Sequence, residues 1–253
     1  MFREIAKRKI TRPEDGYVTP FRLCGNVYFV GTWQASAHLI DTGAGLILID
    51  TGYENTLYLV IDAIHRLGFD PRDVKYILNT HWHHDHVCGT AALATLSGAQ
   101  TLIGHADAEN AKKYFVPDIL VRDGDTLSLG NTVLHFLETP GHTAGTLSLF
   151  FEVCEGEKRY RLGMFGGAGI NTLAQNTLEY PTAREDYFAS VARLKGERVD
   201  VMLGNHTWNN NTAEYGELLL QSGENRFLDP TMWGKFLSFC EGRLRALIAE
   251  ENA

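Results

Sequence analysis

A chain of 253 residues, 44% hydrophobic and 21% charged, can remove roughly three quarters of its unfolded surface from water, so neither disulfides nor a metal is needed merely for it to fold. Its formal net charge of −8 argues against nucleic acid and anionic membranes as partners, since both demand a basic face, and no apolar run approaches the roughly 20 residues of a spanning helix. Cys24, Cys88, Cys154 and Cys240 lie far apart with no CxxC pair, which fits free thiols better than a thiolate zinc site or a disulfide scaffold.

The opening, MFREIAKRKITRPEDG, has only a three-residue basic run, KRK at 7 to 9, and lacks the apolar region and small-residue cleavage site of a secretory signal. As written the chain is expected to be cytoplasmic, or periplasmic or secreted if a signal was removed before it was defined. From Gly25 to Asp50, NVYFVG, SAHLID and GLILIDTGY alternate with turns and predict a strand meander. NTLYLVIDAIHRL at 55 to 67 places apolar residues at helical spacing behind an Asn cap and stops at Gly68. VKYILN at 74 to 79 reads as a short buried strand, and a helix is expected from near Gly89 to Ser97.

The second half repeats the theme. AQTLIG, TVLHFLET, TLSLFFEV, YRLGMF and VDVMLG read as strands, HADAENAKKY and residues 184 to 195 as helices, and a terminal amphipathic helix is expected from Pro230 to about Ile248. Strands and helices interleave without a Pro/Ser-rich linker, so a single α/β domain over 1–253 is expected, with sheets inside and helices outside.

Residues 80 to 87, THWHHDHV, hold four of the ten histidines. Imidazole and carboxylate are ligands of divalent transition metals. His81 and His83, two apart, point the same way if the chain is extended, so both can reach one ion. The turn that follows can aim Asp85 and His86 at a second position, making HxHxDH a plausible two-metal motif. Trp82 and His84 then face elsewhere. His142 follows a Pro-Gly turn at a strand end, and His206 sits in the same context. Alone each is a modest candidate; joined to HxHxDH at strand ends, both become candidate ligands. His38 and His135 read as strand residues, and Cys88 as a free thiol.

THxHxDH, then PGHTxG, then a late strand-end histidine resembles the metallo-β-lactamase superfamily, across nearly the whole chain. PFRLCGNVYFVGT, LILIDTGY, NTHWHHDH, TPGHTAGTLS and the closing NRFLDPTMWGKFLSFCEGRLRALIAEE are most similar to the subclass that binds two zinc ions without a cysteine ligand. The resemblance implies a four-layer αβ/βα sandwich with the metals at one edge. It implies that His81, His83 and His142 hold one zinc and that Asp85, His86 and His206 hold the other. Three neutral imidazoles also leave the open fourth position of a catalytic zinc site.

The resemblance further implies a hydrolase that attacks a cyclic amide with hydroxide shared by two zinc ions, with Asp85 orienting it and shuttling its proton. The expected partner is a small-molecule substrate, a β-lactam antibiotic first. Asp50 and Gly52 resemble the turn that supports the metal loop in this family, a plain turn being the other reading. Where related hydrolases such as glyoxalase II carry a bridging aspartate, this chain has Gly166, Gly167, Ala168 and Gly169. That run is either a tight turn allowing close backbone approach or a source of backbone N–H groups for substrate around Gly167. Trp208 and Asn209 are candidate pocket residues, with an exposed loop as the alternative. A lactonase or other ester or amide hydrolase, an iron-dependent oxidoreductase of the same fold, and a non-enzymatic metal scaffold remain as competing readings.

Overall fold

The structure, a computed structural model, describes residues 10–253; the KRK run at 7 to 9 lies outside the described residues. A first sheet contains β1 (Phe21–Cys24), β2 (Val27–Phe29), β3 (His38–Asp41), β4 (Leu46–Ile49), β5 (Val74–Leu78), β6 (Gln100–Gly104) and β7 (Ile119–Val121), in that spatial order. It is antiparallel up to β4 and parallel from β4 to β7. A second sheet contains β8 (Thr126–Leu129), β9 (Thr132–Glu138), β10 (Leu147–Glu155), β11 (Lys158–Met164) and β12 (Val201–Leu203) in the order β12-β11-β10-β9-β8. Only β11 and β12 pair in parallel there.

The period of two in the strands dictates the layering. In β4, Ile47 and Ile49 join the core between the sheets, while Leu46 and Leu48 turn to the outer face. In β10, Leu147, Leu149, Phe151 and Val153 face the same central core, and Phe150 faces outward. Each fully buried side chain of this size contributes about 1.5–3 kcal/mol, and both faces of each sheet are apolar, so both must be covered. Helices α1 (Leu57–Arg66) and α3 (Thr90–Ser97) cover the first sheet through Val60, Ala63, Ile64 and Leu93. Helices α5 (Ala183–Leu194) and α7 (Met232–Glu251) cover the second. In α7 the buried positions Trp233, Phe236, Leu237, Cys240 and Leu244 recur at helical spacing. The result is the four-layer αβ/βα sandwich.

Several expectations need correction. Asn55 caps no helix: α1 begins at Leu57, after a 3-10 turn over Glu54–Thr56. The helix expected through HADAENAKKY shrinks to a 3-10 turn and α4 (Ala108–Ala111), because its chain turns back to deliver β7. Three short strands, β1, β7 and β8, and the helix α6 (Thr212–Ser222) are additional. The segment after β5 does not stay extended: His83 caps a short helix, α2 (His84–Val87).

Strand direction sets the site. The parallel strands β4 and β5 both end at one edge of the first sheet, releasing Asp50 and the segment 79–87. Strands β9, β11 and β12 run the same way in the second sheet and end at one edge, releasing the loops of His142, Gly166–Gly169 and His206. Carboxyl ends of strands are where open α/β sheets place their ligands.

Candidate metal centre

Two groups of side chains converge at this edge. His81, His83 and His142 form one, and Asp85, His86 and His206 the other; within each, the three potential ligand atoms lie within 4.8 Å of one another. The groups adjoin, with the His81 and His86 ring centroids 4.1 Å apart. Each group draws on both sheets: the His81–His86 segment follows β5, His142 lies between β9 and β10, and His206 follows β12.

Each imidazole is held from outside by one nitrogen and presents the other inward. His86 Nδ1 donates to Asp50 Oδ2 at 2.8 Å, His206 Nδ1 to the Gln34 carbonyl at 2.6 Å, and His142 Nδ1 to the Gly169 carbonyl at 3.0 Å. The Thr80 hydroxyl donates to Asp50 at 2.8 Å and so accepts from His81 Nδ1 at 3.1 Å. His83 is turned the other way, with Nε2 on Glu179 Oε1 at 2.7 Å and Nδ1 facing inward.

The inward atoms fit a metal. His81 Nε2 is buried without any hydrogen-bond partner, a costly arrangement for a ring nitrogen unless a cation takes the lone pair, and His86 Nε2, also buried, has only the Asp85 carboxylate before it, at 3.4 Å. With the outer nitrogens protonated as above, His83 Nδ1 and His142 Nε2 both carry lone pairs at 3.0 Å separation, a repulsive contact that a shared cation relieves. Imidazole and carboxylate without thiolate is a donor set that zinc accepts.

Electrostatics agree. Burial and the neighbouring imidazoles push His81 and His142 well below the ordinary histidine value, and burial followed by His86 brings His206 down to about 4, so all three keep the neutral form that metals take. Burial works against ionisation of Asp85, but the adjacent His86, then His206 and His84, outweigh it and hold the carboxyl far below the carboxylate range. His86 is the exception: burial opposes a charge on it, yet Asp85 and Asp50 lift it to about 10, so a cation between Asp85 and His86 would have to replace the proton on its Nε2.

The remaining candidates are placed clearly. His84 is exposed and packs on Tyr53, and Trp82 packs beside Val87 and Ile103. His38 is fully buried in β3 and His135 is exposed on β9, and neither belongs to the two groups. Cys88 is a half-buried free thiol. A cavity of about 330 Å³ opens beside His206, lined among others by Trp208, Asn209, Ile170, Asn171, Arg243 and Leu247. Trp208 lies flat on the His206 ring, with centroids 4.4 Å apart and planes 6° apart.

Gly167 does not line this cavity; it is buried, and a Cβ there would meet Thr146 at 2.7 Å and His142 Cβ at 2.9 Å. Close approach to the His142 loop requires glycine at that position. Asn205 and Asn210 likewise turn inward, donating to the Gly166 and Met202 carbonyls.

Several supporting residues carry no signal in the sequence. Buried Asp107 accepts from Trp82 N at 3.1 Å, Thr143 Oγ1 at 2.7 Å and Gly145 N at 2.7 Å, so one carboxylate ties the His81–His83 loop to the His142 loop. Thr172 donates to the His142 carbonyl at 2.8 Å. Glu179 and the Gln34 carbonyl also lie far from the ligands they hold in sequence. The family pattern around Asp50 was the one such support that could be read in advance.

The profile of the metallo-beta-lactamase superfamily matches residues 30–155. A subclass B3 metallo-beta-lactamase of Bradyrhizobium japonicum superposes with a TM-score of 0.86 at 28% identity, covering 94% of this chain and 96% of that one. The native metallo-beta-lactamase from Legionella gormanii gives 0.88 at 28%, covering 94% and 98%. Among curated sequences, a hydroxyacylglutathione hydrolase of Chelativorans sp. (strain BNC1) is 39% identical over 112 residues, 44% of this chain and 40% of that protein. The chain thus spans about two fifths of the length of such curated relatives. This chain belongs to the metallo-beta-lactamase superfamily. Within that superfamily its full-length likeness is to structures of subclass B3.

Proposed function

We propose that this chain is a metal-dependent hydrolase that holds two zinc ions and opens a cyclic amide of the β-lactam type. The observation that carries the reading is the pair of adjoining three-ligand groups beside a cavity, in a chain that follows subclass B3 enzymes over 94% of its length. His81, His83 and His142 would hold one ion and Asp85, His86 and His206 the other. When bound, such a pair supplies Lewis acidity toward a carbonyl and brings the deprotonation of water into the neutral range.

The chain's own residues do the rest. Asp85, ionised and only partly covered, accepts the proton of the attacking water and returns it to the leaving nitrogen. Trp208, stacked on His206, gives the substrate an apolar wall. Asn209 spends its Oδ1 on the His206 backbone N–H at 3.0 Å, which fixes the ligand loop while its remaining surface faces the cavity. Arg243 is the one charged side chain among the described lining residues. It rests on the Phe239 ring at 5.6 Å and offers a guanidinium to a substrate carboxylate.

A second reading, hydrolysis of a thioester, is supported by the 39% identity to a hydroxyacylglutathione hydrolase. Against it stand the short span of that match and the run Phe165–Ile170, which brings no carboxylate to the site. Purified protein should be assayed for metal content and then on nitrocefin, a carbapenem, S-lactoylglutathione and an acyl-homoserine lactone, before and after chelation. Chelator-sensitive turnover of the first two supports the proposal. Turnover of the thioester alone replaces it with the second reading, and activity in fully metal-free protein sinks both.

A further inference from the structure

We propose that Glu179 is the positioning residue that turns His83 toward the metal, a role that rests on the dinuclear reading above. Four of the five ligand imidazoles face inward with Nε2, each fixed by a partner on Nδ1. His83 alone is reversed: its Nε2 meets Glu179 Oε1 at 2.7 Å and its Nδ1 meets His142 Nε2 at 3.0 Å. A neutral imidazole can offer only one lone pair, so whichever nitrogen is protonated decides which way the ring can serve. A carboxylate accepts only, and at Nε2 it selects the tautomer with a free Nδ1. It also raises the basicity of that nitrogen.

The carboxylate is itself oriented. Its second oxygen, Oε2, accepts from Trp82 Nε1 at 3.3 Å, and the Trp82 ring is covered by the Lys113 ammonium at 4.5 Å from its centroid. Glu179 belongs to the segment between β11 and α5. That segment also supplies the Gly169 carbonyl and the Thr172 hydroxyl that hold His142. One loop therefore orients two of the three ligands in the first group. Asp50 performs the parallel task for His86, but there the carboxylate is 1% exposed, whereas the Glu179 side chain is 23% exposed. The His83 support is the more accessible of the two, and its removal leaves the core intact.

The test uses Glu179→Ala and Glu179→Gln in the full chain. Zinc affinity is read by competition with a chromophoric chelator, and ligand geometry by the visible absorption of the cobalt(II)-substituted protein. Glu179→Ala should lose roughly 10- to 100-fold in affinity for one of two ions, the range typical of lost outer hydrogen bonds to metal ligands. The cobalt bands should shift, while the metal-free protein melts as the unaltered one does. Glu179→Gln keeps an acceptor oxygen without the charge and should fall between. The assignment is overturned if both variants hold two ions within twofold of the unaltered protein with the same cobalt spectrum. It is equally overturned if Glu179→Ala lowers the melting temperature of metal-free protein and Glu179→Gln restores it, the signature of a structural contact. If the unaltered protein binds no zinc, this assignment falls together with the proposed function; if it binds two ions and the variants do as well, only the assignment falls.

Discussion

At Asp50 the backbone adopts φ +59°, the left-handed region, in a residue other than glycine. Such strain persists where surrounding contacts over-determine it, and here the carboxylate accepts from Thr80 N, Thr80 Oγ1 and His86 Nδ1 at 2.7 to 2.8 Å. The stretch LIDTGY already singled this residue out, through its resemblance to the turn that supports the metal loop in this family. Arg243 could not be found that way, since helical spacing says nothing of the loop it will face. Arg243→Ala is expected to raise KM about tenfold for substrates with a carboxylate, the worth of a charged hydrogen bond, with kcat nearly unchanged. A neutral ester should show no difference in steady-state kinetics. His38 offers a different measurement. Its ring is fully buried against Phe29, and both nitrogens lack partners. Burial lowers its pKa from 6.5 to about 3. The unfolded chain therefore binds a proton that the folded chain refuses between those values, and stability falls as pH drops below 6.5, by up to about 1.4 kcal/mol per pH unit. Urea unfolding of His38→Leu alongside the unaltered protein should show that this part of the acid sensitivity disappears.

Among the elements, the long strands and α1, α3, α5 and α7 were legible because each carries its apolar residues at a single period. What stayed hidden has physical causes. Helix α6 contains Gly216, poor for helices in isolation, yet the Phe21 ring comes so near that a Cβ would lie 2.2 Å from it; tertiary packing overrides propensity. Strands β7 and β8 span Ile119–Val121 and Thr126–Leu129, too short for alternation to register, and take their conformation from neighbours. Within the glycine run after β11, the close-approach reading holds at Gly166, where a Cβ would fall 2.0 Å from the Leu147 carbonyl oxygen. Gly166→Ala should cost about 2 kcal/mol or more, since backbone must move to admit it. Gly234 in α7 is the counterpart, helical and exposed with nothing within 4 Å of a Cβ. Gly234→Ala should stabilise by about 0.5–1 kcal/mol, and midpoints of denaturant unfolding should move in opposite directions for the two variants.

For the molecule as a whole, the two sheets meet in one core but own separate ligands. Removal of metal by a chelator should lower the melting temperature by on the order of 10 °C, as expected when a ligand present far above its dissociation constant binds only the folded state. An unchanged melting curve would mean that no metal was held. The division has a wider effect. His81, His83, Asp85 and His86 travel with the first sheet and His142 and His206 with the second, so on the dinuclear proposal retention of each ion would be thermodynamically linked to how firmly the halves are docked. A substitution that merely slackens their contact, such as Phe151→Ala in the shared core, would therefore be noticed first as faster leakage of cation into buffer. Screens for loss of activity in this chain will accordingly collect packing defects remote from the catalytic edge.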